Sequence, residues 1–229
     1  MFQLLSYPLT VDMPLADPIL QAPVYEPVQS IARGDLANLY RVTLFNHCGT
    51  HIDSPNHYDA GGLKLADLPI GHFVFESPLL LDLPKDDEGL ISENDCHAAL
   101  AGKDGGRCDL LLIRTGFARY RRSDPERYAR GSPGVSAEAA RFLMTALPNM
   151  RAIGLDFISL EWTVNRSHGF GAHQVMLKDR SHPVLIIEDL NLDVDFARVR
   201  RVFAIPIFFR EIDSFPATVF AELDSRERP

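Results

Sequence analysis

Short apolar segments of strand length recur along the chain, and they limit its fold more than any other feature. Two helical patterns lie between them, one that begins after Ser92 and ends near Gly102, and one that begins after Ser136 and ends at Pro148. Buried strands that alternate with helices are typical of an α/β domain with a covered sheet. We therefore predict a single mixed α/β domain. The predicted strands are residues 39–46, 72–83, 109–115, 152–160, 183–189 and 202–209.

The composition narrows the class of protein. Hydrophobic residues make up 46% and charged residues 24% of the chain, as in globular proteins, which excludes a disordered or coiled-coil chain. No linker-like stretch divides the sequence, so we expect residues 1–229 to form one domain. No apolar run approaches the ~20 residues of a membrane helix, and the N-terminus does not resemble a signal peptide. The three cysteines form no CxxC pair. We expect a cytoplasmic protein without a membrane partner.

The negative net charge of the chain limits the kinds of partner that it can bind. The net charge of −8 argues against binding to a nucleic-acid backbone, which requires clustered and unopposed cations. The most basic segment, residues 114–130, is interrupted by Asp124 and Glu126. We predict that this segment is a solvent-exposed helical face and that the partner of the protein is a small-molecule substrate.

Residues 47–57, with the sequence HCGTHIDSPNH, hold three of the eight histidines. Side chains two positions apart on an extended chain face the same side, so His51 and Asp53 can converge, and His47 can join them if the chain turns back at Gly49. Two imidazoles and a carboxylate leave positions open for water and substrate on a bound metal ion. We predict a divalent-metal site here. The alternative, a chance cluster of exposed histidines, is less favoured because the segment directly follows a predicted buried strand.

Two neighbours of these residues have other expected roles. His57 lies beyond the rigid Pro55 and is a candidate acid or base, because histidine ordinarily titrates near neutral pH. The alternatives for His57 are a further metal ligand or a surface residue. Cys48 is adjacent to His47, and adjacent residues of an extended chain face opposite sides, so we expect it to be buried and inert.

A second group of candidates lies downstream. Glu188 is inside an apolar strand pattern, where burial of a carboxylate is costly unless it is paired or binds metal, whereas its neighbour Asp189 should face the other way. The alternative for Glu188 is a position at a strand end that faces solvent. His173 begins an apolar helical run and can face the same site. The aromatic residues beside these motifs either line a substrate pocket or belong to the core. They are Phe45, Tyr58, Phe73, Trp162 and Phe170.

The run HCGTHIDSPNH matches the HxGTHxDxPxH motif of the cyclase-type metal-dependent hydrolases, a family that includes bacterial kynurenine formamidase and isatin hydrolase. Family-like stretches follow in the same order: LLIRTGF, SPGVSAEAARFL, RAIGLDFISLEW and residues 173–188. The resemblance covers nearly the whole chain. It implies the swivelling β/β/α fold of that family and a homodimer or homotetramer.

The resemblance also implies roles for individual residues. His47, His51 and Asp53 are the expected ligands of one metal ion, Asp53 is able to bridge two ions, and His173 and Glu188 are the expected ligands of the second. His57 is the expected general acid/base. The ion is expected to be Zn²⁺ first and Mn²⁺ second, since imidazole and carboxylate accept both.

The activity expected from these residues is hydrolysis of an amide-type C–N bond by metal-activated water, as in an N-formylkynurenine-like arylformamide. The N-terminal stretch PLADPILQAPVYEP lacks the Pro-Gly-Asp run of the kynurenine formamidases. The main alternative is a ring-opening hydrolase of an isatin-like lactam or a lactone. Two others are a catalytically silent metal-binding protein and an oxygenase with an iron site of two histidines and one carboxylate.

Overall fold

The computed structural model describes residues 1–162, 166–179 and 182–224. These residues form thirteen β-strands and five α-helices. The strands are β1 (Phe2–Leu4), β2 (Val24–Gln29), β3 (Leu39–Thr43), β4 (His51–Asp53), β5 (Val74–Phe75), β6 (Pro78–Asp82), β7 (Leu90–Ile91), β8 (Leu110–Arg114), β9 (Gly134–Val135), β10 (Ala152–Leu155), β11 (Leu185–Glu188), β12 (Val199–Pro206) and β13 (Ser214–Leu223). The helices are α1 (Glu93–Leu100), α2 (Tyr120–Ser123), α3 (Pro125–Arg130), α4 (Ala137–Ala146) and α5 (Arg166–Leu177).

One mixed sheet of nine strands organises the described chain, in the order β5, β12, β13, β4, β11, β10, β8 and β6, with β1 paired to β13. The pairs among β6, β8, β10 and β11 are parallel. All other pairs in this sheet are antiparallel, including both pairs that β4 makes. The short strand β4 therefore lies where the parallel and antiparallel halves meet. The prediction of a mixed α/β domain is confirmed.

Both faces of the sheet are covered at the parallel strands β8, β10 and β11, as predicted. Along β8, Leu111 and Ile113 pack into a core with residues of α1, α4 and α5. Leu110 and Leu112 pack into a second core on the opposite face, with residues of β4, β12 and β13. Because strand side chains alternate between faces, a strand buried on both faces has an unbroken apolar sequence. That is why these strands are recognisable as short apolar runs.

The helix starts also agree with prediction. The Ser92 hydroxyl accepts a hydrogen bond from the backbone N–H of Asp95 at 3.2 Å, and the Asp95 carboxylate accepts one from the backbone N–H of Ser92 at 2.8 Å. The Ser136 hydroxyl accepts one from Ala139 N–H at 3.0 Å. Such caps satisfy the N–H groups that a first helical turn leaves unpaired. Gly102, just beyond α1, has a positive φ of 76°.

The prediction of a buried strand over residues 39–46 is wrong. The segment does form a strand, β3, but among the described residues β3 pairs only with β2, in a separate hairpin, and every residue of both strands is exposed. The β-branched and aromatic residues of β3 favour extended backbone without determining burial. A two-stranded hairpin alone is marginally stable in water, so this exposed hairpin needs a surface to pack against.

The prediction that residues 114–130 form a solvent-exposed face is wrong at Arg121. This side chain is buried and forms two hydrogen bonds of 2.7 Å to the two carboxylate oxygens of Asp189. The Tyr128 hydroxyl donates a third, also 2.7 Å, to the same carboxylate. The burial of Arg121 depends on a partner far away in the sequence, which local charge pattern does not reveal. Within the described ranges, we find no helix with the length and apolar character that crossing a membrane requires.

Candidate metal centre

Strand β4 and its two neighbours assemble the candidate site. His51 and Asp53 are two positions apart on β4 and so lie on one face of the sheet. The register places Glu188 of β11 directly opposite His51, and Ser214 of β13 opposite Asp53. Two residues that are far apart in sequence are thus brought beside the histidine segment by strand pairing alone.

The turn at residues 47–50 brings the remaining histidine back toward β4. Gly49 has a φ of 62°, in the left-handed region that favours glycine. A Cβ at this position would lie 2.7 Å from Leu9 Cδ2 and 3.0 Å from Met13 Cε, so a larger residue would also have to displace the ends of these two side chains. The neighbouring Cys48 is buried, and burial raises the pKa of its thiol to about 11, which agrees with an inert side chain.

The Asp53 carboxylate lies at the centre of the group. Its Oδ1 is 3.1 Å from His47 Nδ1 and 3.4 Å from His51 Nε2, and its Oδ2 is 3.9 Å from His173 Nε2. Glu188 lies on the far side, with Oε1 3.3 Å from His173 Nε2 and Oε2 3.5 Å from His51 Nε2. The structure therefore brings all five expected ligands together, with Oδ1 of Asp53 facing His47 and His51 and Oδ2 facing His173.

The electrostatics of this group favour a bound cation. The side chains of Asp53 and Glu188 are only 1% and 5% exposed, and their ion-pair partners among the described residues are imidazoles. Burial alone would raise the pKa of Asp53, but His47 and His51 hold it well below its usual range. Burial would likewise lower the pKa of His47, yet the Asp53 and Asp213 carboxylates raise it to about 10. The acids thus stabilise positive charge strongly at this position.

Buried atoms without hydrogen-bond partners also indicate a cation site. Within the described part of the chain, His51 Nε2 and Asp53 Oδ1, which lie 3.4 Å apart, are buried and make no hydrogen bond. The other ring nitrogen of His51, Nδ1, is 2.8 Å from the Gly49 carbonyl, which orients Nε2 toward the carboxylates. An imidazole held in this way by a backbone carbonyl is typical of a metal ligand. Buried polar groups normally find partners, so these residues fit a divalent metal ion.

Glu188 is held in place by the segment after β10. Its Oε1 accepts hydrogen bonds from the backbone N–H of Leu160 at 2.6 Å and from the Ser159 hydroxyl at 3.1 Å. These bonds leave Oε2 directed toward His51. The prediction that Asp189 faces away from Glu188 agrees with its pairing to Arg121.

His57 lies at the edge of the group, in the one-turn helix Pro55–His57. Its side chain is 28% exposed, more than that of any of the five expected metal ligands. Its ring centroid is 4.2 Å from that of His47, and its Nδ1 is 2.9 Å from Asp213 Oδ2. Ligand atoms of His47, Asp53 and His57 also lie within 4.8 Å of one another. The geometry is therefore compatible with His57 as an acid/base or as a further ligand.

Asp213 and Ser214 complete the surroundings of the histidines, and neither was predicted. Asp213 Oδ2 is 3.6 Å from His47 Nε2, and the Ser214 hydroxyl is 2.9 Å from the same nitrogen. The available signal was an acid directly before an extended run of apolar and β-branched residues, at the start of a strand, whereas Asp53 is the last residue of β4. Only the pairing of β13 with β4 reveals its importance.

The aromatic candidates separate into different environments. Tyr58 stacks on His173, with ring centroids 5.1 Å apart and an angle of 18° between the planes. Phe73 is fully buried in the core, and the Trp162 indole donates a hydrogen bond to the Glu88 carbonyl at 2.9 Å. Phe45 is exposed, and the side chain of Phe170 lies outside the described residues. Tyr58 is thus the candidate pocket residue that directly contacts a candidate ligand.

Comparison with known proteins agrees with this geometry. The sequence model of one protein family, described as "Putative cyclase", matches residues 4–162. An uncharacterized protein of Haemophilus influenzae is 33% identical over 114 residues, which cover 49% of this chain and 78% of that protein.

Solved structures share the fold. Isatin hydrolase A from Labrenzia aggregata superposes with a TM-score of 0.81 at 19% identity, over 96% of this chain and 93% of that chain. A structure described as a potential metal-dependent hydrolase with cyclase activity has a TM-score of 0.70 at 25% identity, over 96% of both chains. The family resemblance inferred from residues 47–57 is confirmed, and the chain belongs to the cyclase family.

Proposed function

We propose that the protein is a metal-dependent hydrolase that cleaves an amide-type C–N bond, with an N-formylkynurenine-like arylformamide as the first candidate substrate. The observation that carries the proposal is the position of the buried Asp53 carboxylate, with His47 and His51 at one oxygen and His173 at the other, beside the accessible imidazole of His57. Membership of the cyclase family and the fold shared with isatin hydrolase A support it.

The residues divide into two sets of ligands. His47, His51 and Asp53 would hold one ion, and Asp53, His173 and Glu188 would hold a second. A bound divalent cation lowers the pKa of water and polarises a substrate carbonyl. Zn²⁺ is the first candidate and Mn²⁺ the second, since imidazole and carboxylate ligands suit both.

The role of His57 follows from its exposure. The proposed ligands His51 and His173 are buried, and His57, at 28% exposed, is also more accessible than the third proposed histidine ligand, His47, at 22%. An amide nitrogen is too basic to leave as an anion, so bond cleavage requires a proton donor. We assign this step to His57, which delivers a proton to the departing nitrogen. Tyr58 supplies an aromatic face beside His173 for a flat substrate.

The second candidate is ring opening of an isatin-like lactam or a lactone. The likeness to isatin hydrolase A over 96% of the chain favours it, although at 19% identity that likeness concerns the fold alone. The same residues serve both reactions, because both begin with attack of water on a carbonyl carbon. In ring opening the leaving group remains attached to the product.

A parallel hydrolysis assay distinguishes these candidates. Purified protein loaded with Zn²⁺ or Mn²⁺ is assayed on N-formylkynurenine, isatin and simple lactones, with oxygen uptake measured alongside. We expect hydrolysis of at least one substrate, loss of turnover on chelation, recovery when the metal is returned, and no oxygen uptake. Turnover that is unaffected by complete metal removal, or oxygen uptake with Fe²⁺ alone, would contradict the proposal.

We further propose that the protein works in the cytoplasm as a homodimer or homotetramer. The exposed hairpin of β2 and β3 supports the oligomer. It needs a surface to pack against, and four of its apolar or aromatic side chains are at least half exposed: Val24, Tyr25, Tyr40 and Val42. Light scattering coupled to gel filtration should give a mass of two or four chains. A monomer at micromolar concentration would contradict this expectation.

A further inference from the structure

Asp213 lies beside the candidate acid/base without being one of the proposed metal ligands. Its Oδ2 is 2.9 Å from Nδ1 of His57, within hydrogen-bonding distance. The same oxygen is farther from His47, at 3.6 Å from Nε2. The shortest contact of this carboxylate with a histidine is therefore the one to His57. Asn46 supports the other oxygen through a contact of 3.4 Å between Nδ2 and Oδ1.

The backbone of Asp213 holds the segment that carries His57. The Asp213 carbonyl accepts hydrogen bonds from the Ser54 hydroxyl at 2.6 Å and from the Ser54 backbone N–H at 3.3 Å. Ser54 directly precedes the one-turn helix Pro55–His57. Asp213 itself directly precedes β13, which is paired with β4. His57 thus lies shortly after β4 and Asp213 directly before β13, so the pairing of these two strands holds the imidazole and the carboxylate near each other.

This arrangement has a consequence for the His57 ring. When one ring nitrogen donates a hydrogen bond to a carboxylate, this contact fixes the orientation of the imidazole and the tautomer of its neutral form. With Nδ1–H bound to Asp213, Nε2 is the nitrogen that remains for exchange with substrate. A misplacement of a reacting group by about 1 Å can reduce the rate about 100-fold.

We propose that Asp213 is a positioning residue, which holds His57 through Nδ1 so that Nε2 carries out proton transfer. The proposal rests on the hydrolase function proposed above. Asp213 supplies no reacting group in this proposal. It also lies 3.6 Å from the proposed ligand His47, but we assign its effect on proton transfer to its shorter contact with His57. Its removal therefore affects catalysis in a way that depends on the presence of His57.

A double-mutant cycle tests this dependence. In the metal-loaded protein we expect Asp213→Ala to lower kcat by about 100-fold and to change KM by less than about threefold. In a His57→Ala background the same change should lower kcat by less than about threefold, because groups that act as one unit are not additive. An equal loss in both backgrounds, or loss of metal from Asp213→Ala but not from His57→Ala, would overturn the proposal.

Asp109→Ala provides a matched control. Asp109 also directly precedes a strand, β8, and its side chain is 15% exposed, compared with 18% for Asp213. Its carboxylate accepts hydrogen bonds from the backbone N–H groups of Glu76 and Ser77 and pairs with Arg151. The strand that follows it, β8, contributes no residue to the candidate site. We expect this variant to lose thermal stability but to retain kcat.

A spectroscopic measurement separates this proposal from the proposed function. Nitrogen-15 NMR of histidine side chains in the diamagnetic zinc-loaded protein reports the tautomer of each neutral ring. We expect neutral His57 to carry its proton on Nδ1, and Asp213→Asn or Asp213→Ala to reduce that preference. An Nε2–H tautomer in the unmodified protein would overturn the role of Asp213 even if no variant folds. If no substrate is hydrolysed while the Nδ1–H tautomer is observed, the proposed function fails and the positioning contact stands.

Discussion

Replacement of Asp53 by Asn is expected to abolish metal binding and hydrolysis together. The Asp53 carboxylate faces three imidazoles, those of His47, His51 and His173, at 3.1 to 3.9 Å, and both proposed ions depend on it. Asn has a similar size but no charge, so the site loses the anion that attracts the cation. Changes outside the ligand shell already reduce metal affinity or activity by about 10- to 100-fold, and a direct ligand should cost more than about 100-fold.

Metal content after gel filtration and kcat at saturating metal measure this effect. Asp109→Asn, which removes the charge of an aspartate directly before β8 and outside the candidate site, should retain both metal and turnover. Full metal content in Asp53→Asn would show that the buried group is a hydrogen-bonded ion-pair cluster and not a metal centre.

Replacement of His57 by Ala is expected to lower kcat by about 10²- to 10⁴-fold while the metal remains bound. His57 is at the accessible edge of the group, and its Nδ1 is already engaged by Asp213. The buried donors around Asp53 and Glu188 remain in place without it. Metal analysis of the variant, together with kcat on an amide substrate, measures the two effects separately.

His97→Ala is a suitable control for that experiment, because His97 is exposed on α1 and stacks on Phe142. It should retain normal turnover. If His57→Ala lost its metal in proportion to its activity, His57 would be a further ligand, the alternative that its proximity to His47 and Asp53 leaves open. Unchanged turnover with metal bound would remove it from the mechanism altogether.

The features that the sequence predicts well are local ones. The caps at Ser92 and Ser136 depend on residues three positions apart, and both are present in the structure. The convergence of His51 and Asp53 depends only on strand periodicity. Residues 47–57 could therefore be interpreted without knowledge of the rest of the chain.

The features that could not be predicted depend on contacts between distant residues. Asp213 reaches His57 because β13 pairs with β4, and sequence pattern alone does not specify which strands pair. Arg121 is buried because it meets Asp189, although its neighbours give it the pattern of a surface residue. Strand β3 was predicted to be buried because strand propensity does not distinguish a core strand from an exposed hairpin.

A calorimetric titration of metal-free protein with Zn²⁺ tests the central claim most directly. Below its metal-free pKa of about 10, His47 is protonated, so a bound ion must displace that proton at pH 7.5. We predict binding tighter than about 1 μM, with proton release that appears as a dependence of the heat on buffer ionisation, and a loss of both in Asp53→Asn. No binding, or equal binding by Asp53→Asn, would contradict the assignment of this buried cluster as a metal centre.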